Sequence, residues 1–225
     1  MKALHYLQKA ISLPPHIVAV KAFRKLRGFW TLKARRWRDA QFSTYAAQSV
    51  GKLRQFLQPV DPSLLPREAI LSGCASLFRH EFDLLGSGPV RVCRGVQYSL
   101  NLSNQKESMR IAALLSPHYA PIDWHIDFKS GYRWREDTWS PKIQYGTHPG
   151  ADVKVPWELS RMQHLSLLAW GYALERDAKY ITEFQNQILD FIAANPPRYG
   201  VNWVCTMDVG IRIANWLFAY DLFRA

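Results

Sequence analysis

Apolar positions in the last third of the chain recur at helical spacing and are punctuated where helices must stop. After Pro156, a residue suited to a first helical turn, "PWELSRMQHLSLLAWGYAL" predicts a helix over 156–174. Its opening turns carry Glu158, Arg161 and His164 at spacings of three. Glu175-Arg176-Asp177 closes it, and Asp177 is placed to cap a second helix in which Tyr180, Phe184, Ile188 and Phe191 recur at core spacing. So short a connection predicts an antiparallel hairpin. The second helix must end at Asn195-Pro196-Pro197, because the residue before a proline is pushed out of the helical region. "RYGVNW" then leads into a third helix, 203–223.

That third helix has two apolar faces. Val204, Met207, Ile211, Phe218 and Leu222 form one, and Cys205, Val209, Ile213, Trp216 and Tyr220 form another roughly opposite. Between them runs a stripe of Asp208, Arg212 and Asn215, which must be satisfied internally or face a ligand cleft.

Earlier in the chain the pattern is weaker. Helical periodicity fails over 89–155, a run of short strand-like pieces and aromatic-rich loops such as "APIDWHIDFKSGYRWREDTW". A loop of this length is expected to be functional or clamped over something. Asp123, His125 and Asp127 alternate as strand-borne metal ligands would, but a lone D-x-H-x-D is a weak signal; internal hydrogen bonding is the expected use, and no metal is assigned. "PREAILSGCASLFRHEF" is helical and runs to the turn at Gly86-Ser87-Gly88-Pro89. Residues 1–57 are helix-prone and basic, with Phe23, Phe29, Trp30 and Trp37 among the cations.

Charge sharpens this division. The net charge of +11 looks like a nucleic-acid signal, yet residues 1–60 hold 12 Lys and Arg against the single acid Asp39, whereas the rest balance 17 against 17. A solvated basic arm packing through its aromatic side is the expected state, and a membrane surface or nucleic acid is not an expected partner. At 225 residues and 48% hydrophobic the chain can bury a sizeable core, which excludes disorder throughout. Cys74, Cys93 and Cys205 stand at no metal or redox spacing, so buried free thiols are expected. The opening "MKALHYLQKAISLPPHIVAV" is interrupted by Lys9 and Pro14-Pro15 and does not form a secretory signal, which makes the cytoplasm the default compartment.

The strings "FDLLGSGPV", "IDWHIDFKSGYRW", "DVKVPWELSRMQHL" and "NPPRYGVNWVCTMDVGIRIANWLFAYDLF" together resemble the N-terminal region of the heparinase II/III-like polysaccharide lyases, over about residues 66–225. The resemblance implies a mainly all-α fold: a partial (α/α) toroid of antiparallel hairpins with a long cleft, which a β-sandwich follows in the family. It also implies β-elimination on uronate-containing acidic polysaccharides without a cofactor, and a periplasmic setting. In the family the carboxylate-neutralising Asn-His motif lies on a later helix and the proton-moving tyrosine and histidine come later still, and no position here matches them. The expected organisation is therefore a basic helical segment, 1–60, and an incomplete toroid region, 61–225, that contributes substrate contacts but no catalytic residue. Its expected partners are an acidic polysaccharide and either the remaining C-terminal part of a lyase or a second copy.

A uronate lyase must neutralise a carboxylate so that the C5 proton becomes acidic. A planar guanidinium binds carboxylate or sulfate in bidentate fashion. Arg161 and Arg212 are accordingly the expected substrate contacts, with Glu158 and Asp208 orienting them; His164, Asn202 and Trp203 are secondary candidates, Trp203 by stacking on a sugar ring. The same residues also fit a purely structural role, as ion pairs lacing helices or as packing groups. Two other functions stay open: an acidic-glycan-binding module without chemistry, and a basic arm that binds anionic lipid or nucleic acid.

Overall fold

A computed structural model describes residues 14–41, 51, 53–59, 61–94 and 102–225. The chain divides into two compact units, Met1–Phe42 and Ser43–Ala225. In the first, α1 (Pro15–Gln41) is a single 27-residue helix. Other parts of the basic segment, 1–13 and 42–50, lie outside the described residues.

The second unit is mainly helical: α2 (Arg67–Phe78), α3 (Leu102–Ala112), α4 (Lys154–Ser160), α5 (Leu165–Glu175), α6 (Ala178–Ala194) and α7 (Thr206–Arg224). Two small antiparallel hairpins interrupt them. β1 (Glu81–Phe82) pairs with β2 (Val90–Arg91) around the expected glycine turn, and β3 (Ile126–Asp127) pairs with β4 (Tyr132–Arg133). Short 3-10 turns occupy Pro62–Leu64, Ser140–Lys142 and Val201–Trp203.

The expected hairpin is present as α5 and α6. Arg176 turns the chain in the left-handed conformation (φ 54°), and the Asp177 carboxylate accepts a hydrogen bond from the Lys179 amide at 2.9 Å, capping α6. α6 ends at Ala194, just before Asn195-Pro196. α2 and α7 both pack on α5. Their shared core holds Ile70, Cys74 and Leu77 of α2, Leu165 and Leu168 of α5, Tyr180, Phe184 and Phe191 of α6, and Ala219 of α7. The α2–α5–α6 contact needs Gly171: a Cβ there would lie 2.4 Å from the Tyr180 ring and 2.9 Å from the Cys74 sulfur.

Two expectations require correction, and one of the two alternatives left open for the third helix is met. The helix expected over 156–174 is two helices, broken at Arg161–His164, where Met162 adopts φ 55° and is fully buried. The segment 89–155 is not irregular throughout, because α3 lies inside it. Its "NQKESMR" stretch is polar, and Met109 is exposed, so apolar periodicity had little to register. On α7, the polar stripe faces inward: Asp208 and Arg212 are buried, while Met207 and Phe218 of one apolar face and Ile213 and Tyr220 of the other are exposed. The three cysteines are free thiols, although Cys93 and Cys205 are only partly buried. Among the described residues no helix is long and apolar enough to cross a membrane.

Candidate functional site

The break between α4 and α5 explains the polar stripe of α7. Where a helix stops, its last carbonyls lose their intrahelical partners. Here α7 supplies replacements. Arg212 donates from Nε to the Ser160 carbonyl at 2.6 Å, and Asn215 donates from Nδ2 to the Arg161 carbonyl at 2.8 Å. Asp208 accepts from Arg161 Nε at 2.7 Å. Three residues at i, i+4 and i+7 on one helix thus clamp a kink on another.

This arrangement separates the two arginines. Arg212 is only 2% exposed, and besides Ser160 O it donates to Ser160 Oγ at 3.1 Å and to the Asn202 carbonyl at 3.0 Å. Its guanidinium lies 4.2 Å from the Phe191 ring centroid, and burial pushes its pKa down to about 10. Arg212, expected to meet substrate with Asp208 orienting it, spends these donors on the fold, and Asp208 hydrogen-bonds Arg161. Arg161 caps α4, with about a quarter of its side chain accessible, and it also donates to Glu158. Burial alone would lower its pKa; the Asp208 hydrogen bond and the Glu158 charge more than offset this and hold it above the ordinary value.

The secondary candidates are also engaged. Asn202 is buried and donates to the Trp124 carbonyl at 2.8 Å and to Asn195 Oδ1 at 2.9 Å. Trp203, partly buried, donates its indole N–H to the Asn195 carbonyl at 3.2 Å. His164 pairs through Nε2 with Gln187 Oε1 at 2.7 Å and packs edge-on against Phe82. Desolvation pushes its pKa down to about 4, opposed by the Gln187 hydrogen bond, so it is neutral near pH 7.

A second polar stripe, on α6, was missed in the sequence. Glu183, Asn186, Gln187 and Asp190 are all buried, at i, i+3, i+4 and i+7, beside the apolar residues that identified the helix. Asp190 Oδ2 accepts from the Ile122 amide at 2.8 Å, the Trp124 indole at 3.0 Å and the Tyr119 hydroxyl at 3.3 Å. Asn186 accepts from the Ser116 amide at 3.0 Å. The aromatic loop is therefore clamped onto α6. The alternating acids and histidine of this loop diverge: Asp123 binds Arg133, His125 Nε2 meets the Ala194 carbonyl at 3.1 Å, and Asp127 accepts from Ser130, Lys129 and Asp152. Among the described residues no cluster of metal-ligating side chains forms.

Where this loop meets the β1–β2 hairpin there is an open polar cleft of about 310 Å³. On its walls stand Arg79, His80 and Arg91 from one side, His118 and Tyr119 from the other, and Glu183 and Asn186 from α6. His80 pairs with Glu183 at 2.9 Å, and Arg79 pairs with Glu81 at 2.8 Å. Arg91 is exposed and stands opposite Glu81 in the β1–β2 register, where its charge, after the Arg79 hydrogen bond, helps hold the Glu81 carboxyl below its ordinary value; among the described residues it makes no ion pair within 4 Å. His80 and His118 both hold left-handed backbone conformations (φ 53° and 70°), uncommon for non-glycine residues and frequent at binding sites. None of the cleft's basic residues was singled out in the sequence, because they come from separate turns with no common motif.

Comparison with known proteins matches residues 94–225 to the family model described as Heparinase II/III N-terminus. No curated protein and no solved structure matches the chain.

Proposed function

Because the chain belongs to the heparinase II/III N-terminal family and is thereby related to polysaccharide lyases, we propose that it forms the substrate-gripping N-terminal region of a lyase that cleaves uronate-containing acidic glycans by β-elimination. Its helical hairpins then form the opening part of an (α/α) toroid, and 61–225 is the toroid region, preceded by a basic segment.

The observation that carries this reading is the cleft between the β1–β2 hairpin and the clamped aromatic loop. It is open and polar, and the exposed Arg91 lines it with donors available to an anion in competition with its cross-strand neighbour Glu81; Arg79 and His118 line the same cleft. An exposed guanidinium can bind a carboxylate or sulfate with two parallel hydrogen bonds. Arg161 is a second contact, reached when a glycan carboxylate displaces Glu158, the more exposed of its two acids; Asp208 stays to hold the guanidinium in place. Arg212, Asn202, Trp203 and His164 position this contact from within the protein.

No residue of the chain is assigned to proton abstraction. The chain alone is therefore expected to retain an acidic polysaccharide without releasing unsaturated uronate, whose double bond absorbs in the ultraviolet. Incubation with heparan sulfate, alginate or a bacterial acidic polysaccharide, followed by absorbance and by affinity electrophoresis, tests this. Turnover at enzymatic rates overturns the non-catalytic role, and absence of retention on every acidic glycan overturns the gripping role.

A further inference from the structure

The helix α1 poses a separate problem. It carries eight Lys and Arg against one acid over 27 residues, a length of about 40 Å at 1.5 Å per residue. Phe23, Trp30 and Trp37, spaced by seven, are 66%, 61% and 69% exposed. Large aromatics left in water along one face require a partner.

The distribution of side chains says which. On a 100° wheel, Phe23, Leu26, Phe29, Trp30 and Trp37 fall within about 120° of arc, and Lys21, Arg24, Lys25, Arg27, Arg35, Arg36 and Arg38 occupy the opposite half. From Lys21 onward two large residues cross the divide. Leu32 lies on the basic side, and Lys33 lies among the aromatics, with its ammonium 4.9 Å from the Phe29 ring centroid and 5.5 Å from that of Trp30. A lysine over those rings can run its stem along apolar surface and keep its charge at the headgroup level. We propose that α1 lies in the plane of an anionic lipid surface, its aromatic face sunk at the acyl boundary and its basic half among the headgroups.

A polyanion such as nucleic acid would use the basic half and leave the aromatic arc in water, whereas an anionic bilayer satisfies both halves. Tryptophan is the side chain best suited to the headgroup level, with an apolar body and a polar N–H. Basic residues near an anionic surface add attraction that decays within a Debye length, so binding should weaken with salt.

The test uses the full chain, co-sedimented with vesicles of phosphatidylcholine alone and of phosphatidylcholine mixed with phosphatidylserine. Binding is expected to the mixed vesicles, to fall with added salt, and to drop at least about tenfold in the Trp30→Ser/Trp37→Ser variant, since each buried aromatic is worth about that factor or more. Circular dichroism melting should show the core unit unchanged in that variant. The proposal is overturned if neither vesicle binds, if the two bind equally, or if the aromatic substitutions leave vesicle binding intact. It is also overturned if duplex DNA is bound while vesicles are not.

Discussion

Replacing Arg212 by methionine separates a structural arginine from a ligand contact. The substitution keeps much of the aliphatic stem against Phe191 but deletes donors to Ser160 O, Ser160 Oγ and Asn202 O. Two carbonyls in the fold's interior lose this donor, at about 1–3 kcal/mol for each buried acceptor left unsatisfied. Part of that loss is offset, because a desolvated cation is removed; burial lowers this group from its ordinary value to about 10, a cost on the order of 3 kcal/mol. Removing one member of a buried charged network usually costs about 3–5 kcal/mol, so a net loss of roughly 2–4 kcal/mol is expected. For a unit of this size that lowers the melting temperature by about 5–15 °C. Arg212→Lys should be destabilising as well, because an ammonium cannot reproduce the planar fork that reaches both segments. The assay is urea and thermal unfolding, with glycan affinity measured at a temperature where the variant is folded. A melt like that of the wild type combined with lost glycan affinity would refute the reasoning and make Arg212 a substrate contact.

Other outcomes follow from the same structure. His125 and His164 are both depressed to about 4 by burial, below their unfolded value of 6.5. The unfolded chain therefore binds more protons between those values. The stability from these neutral histidines is complete above about pH 6.5 and declines toward pH 4, by up to ~1.4 kcal/mol per pH unit for each group; urea midpoints that do not fall between neutral and mildly acid buffer would contradict this. Gly171→Ala should cost about 1–3 kcal/mol by forcing Tyr180 and Cys74 apart, and an unchanged unfolding midpoint would show that the α2–α5–α6 contact gives freely. The exposed Met207, Ile213, Leu217, Phe218 and Tyr220 on α7 should drive concentration-dependent self-association. Analytical ultracentrifugation checks it: a stable monomer at high concentration is the contrary result, and Ile213→Lys should weaken the association.

The sequence revealed helices wherever their apolar residues faced a shared core, as in α6, and wherever proline or a capping aspartate marked an end. It concealed the α4–α5 break because Leu159, Met162, Leu165 and Leu168 are all fully buried on either side of it, so hydrophobic spacing runs through the kink without interruption. The side chains that satisfy the break lie 52 and 54 residues away, in Arg212 and Asn215. The α7 stripe was visible as polar residues demanding partners, but a single helix cannot show whether carbonyls or ligand supply them. The corresponding stripe of α6 carried the same signal beside Tyr180 and Phe184. The cleft was illegible for a different reason: Arg79, Arg91 and His118 meet through a hairpin and a clamped loop whose placement depends on Asp190 and Asn186.

The proposed function requires Arg91 and its neighbours to grip the carboxylates of an acidic glycan. Calorimetric titration of the full chain with a uronate polysaccharide and with its carboxyl-reduced form, for the wild type and for Arg91→Gln, tests it most directly. A charge-assisted contact of about 1.5–3 kcal/mol predicts that Arg91→Gln weakens binding of the native glycan about tenfold or more. The same account predicts little difference between the two proteins on the reduced glycan. Equal affinities of wild type and Arg91→Gln for the native polysaccharide would contradict it.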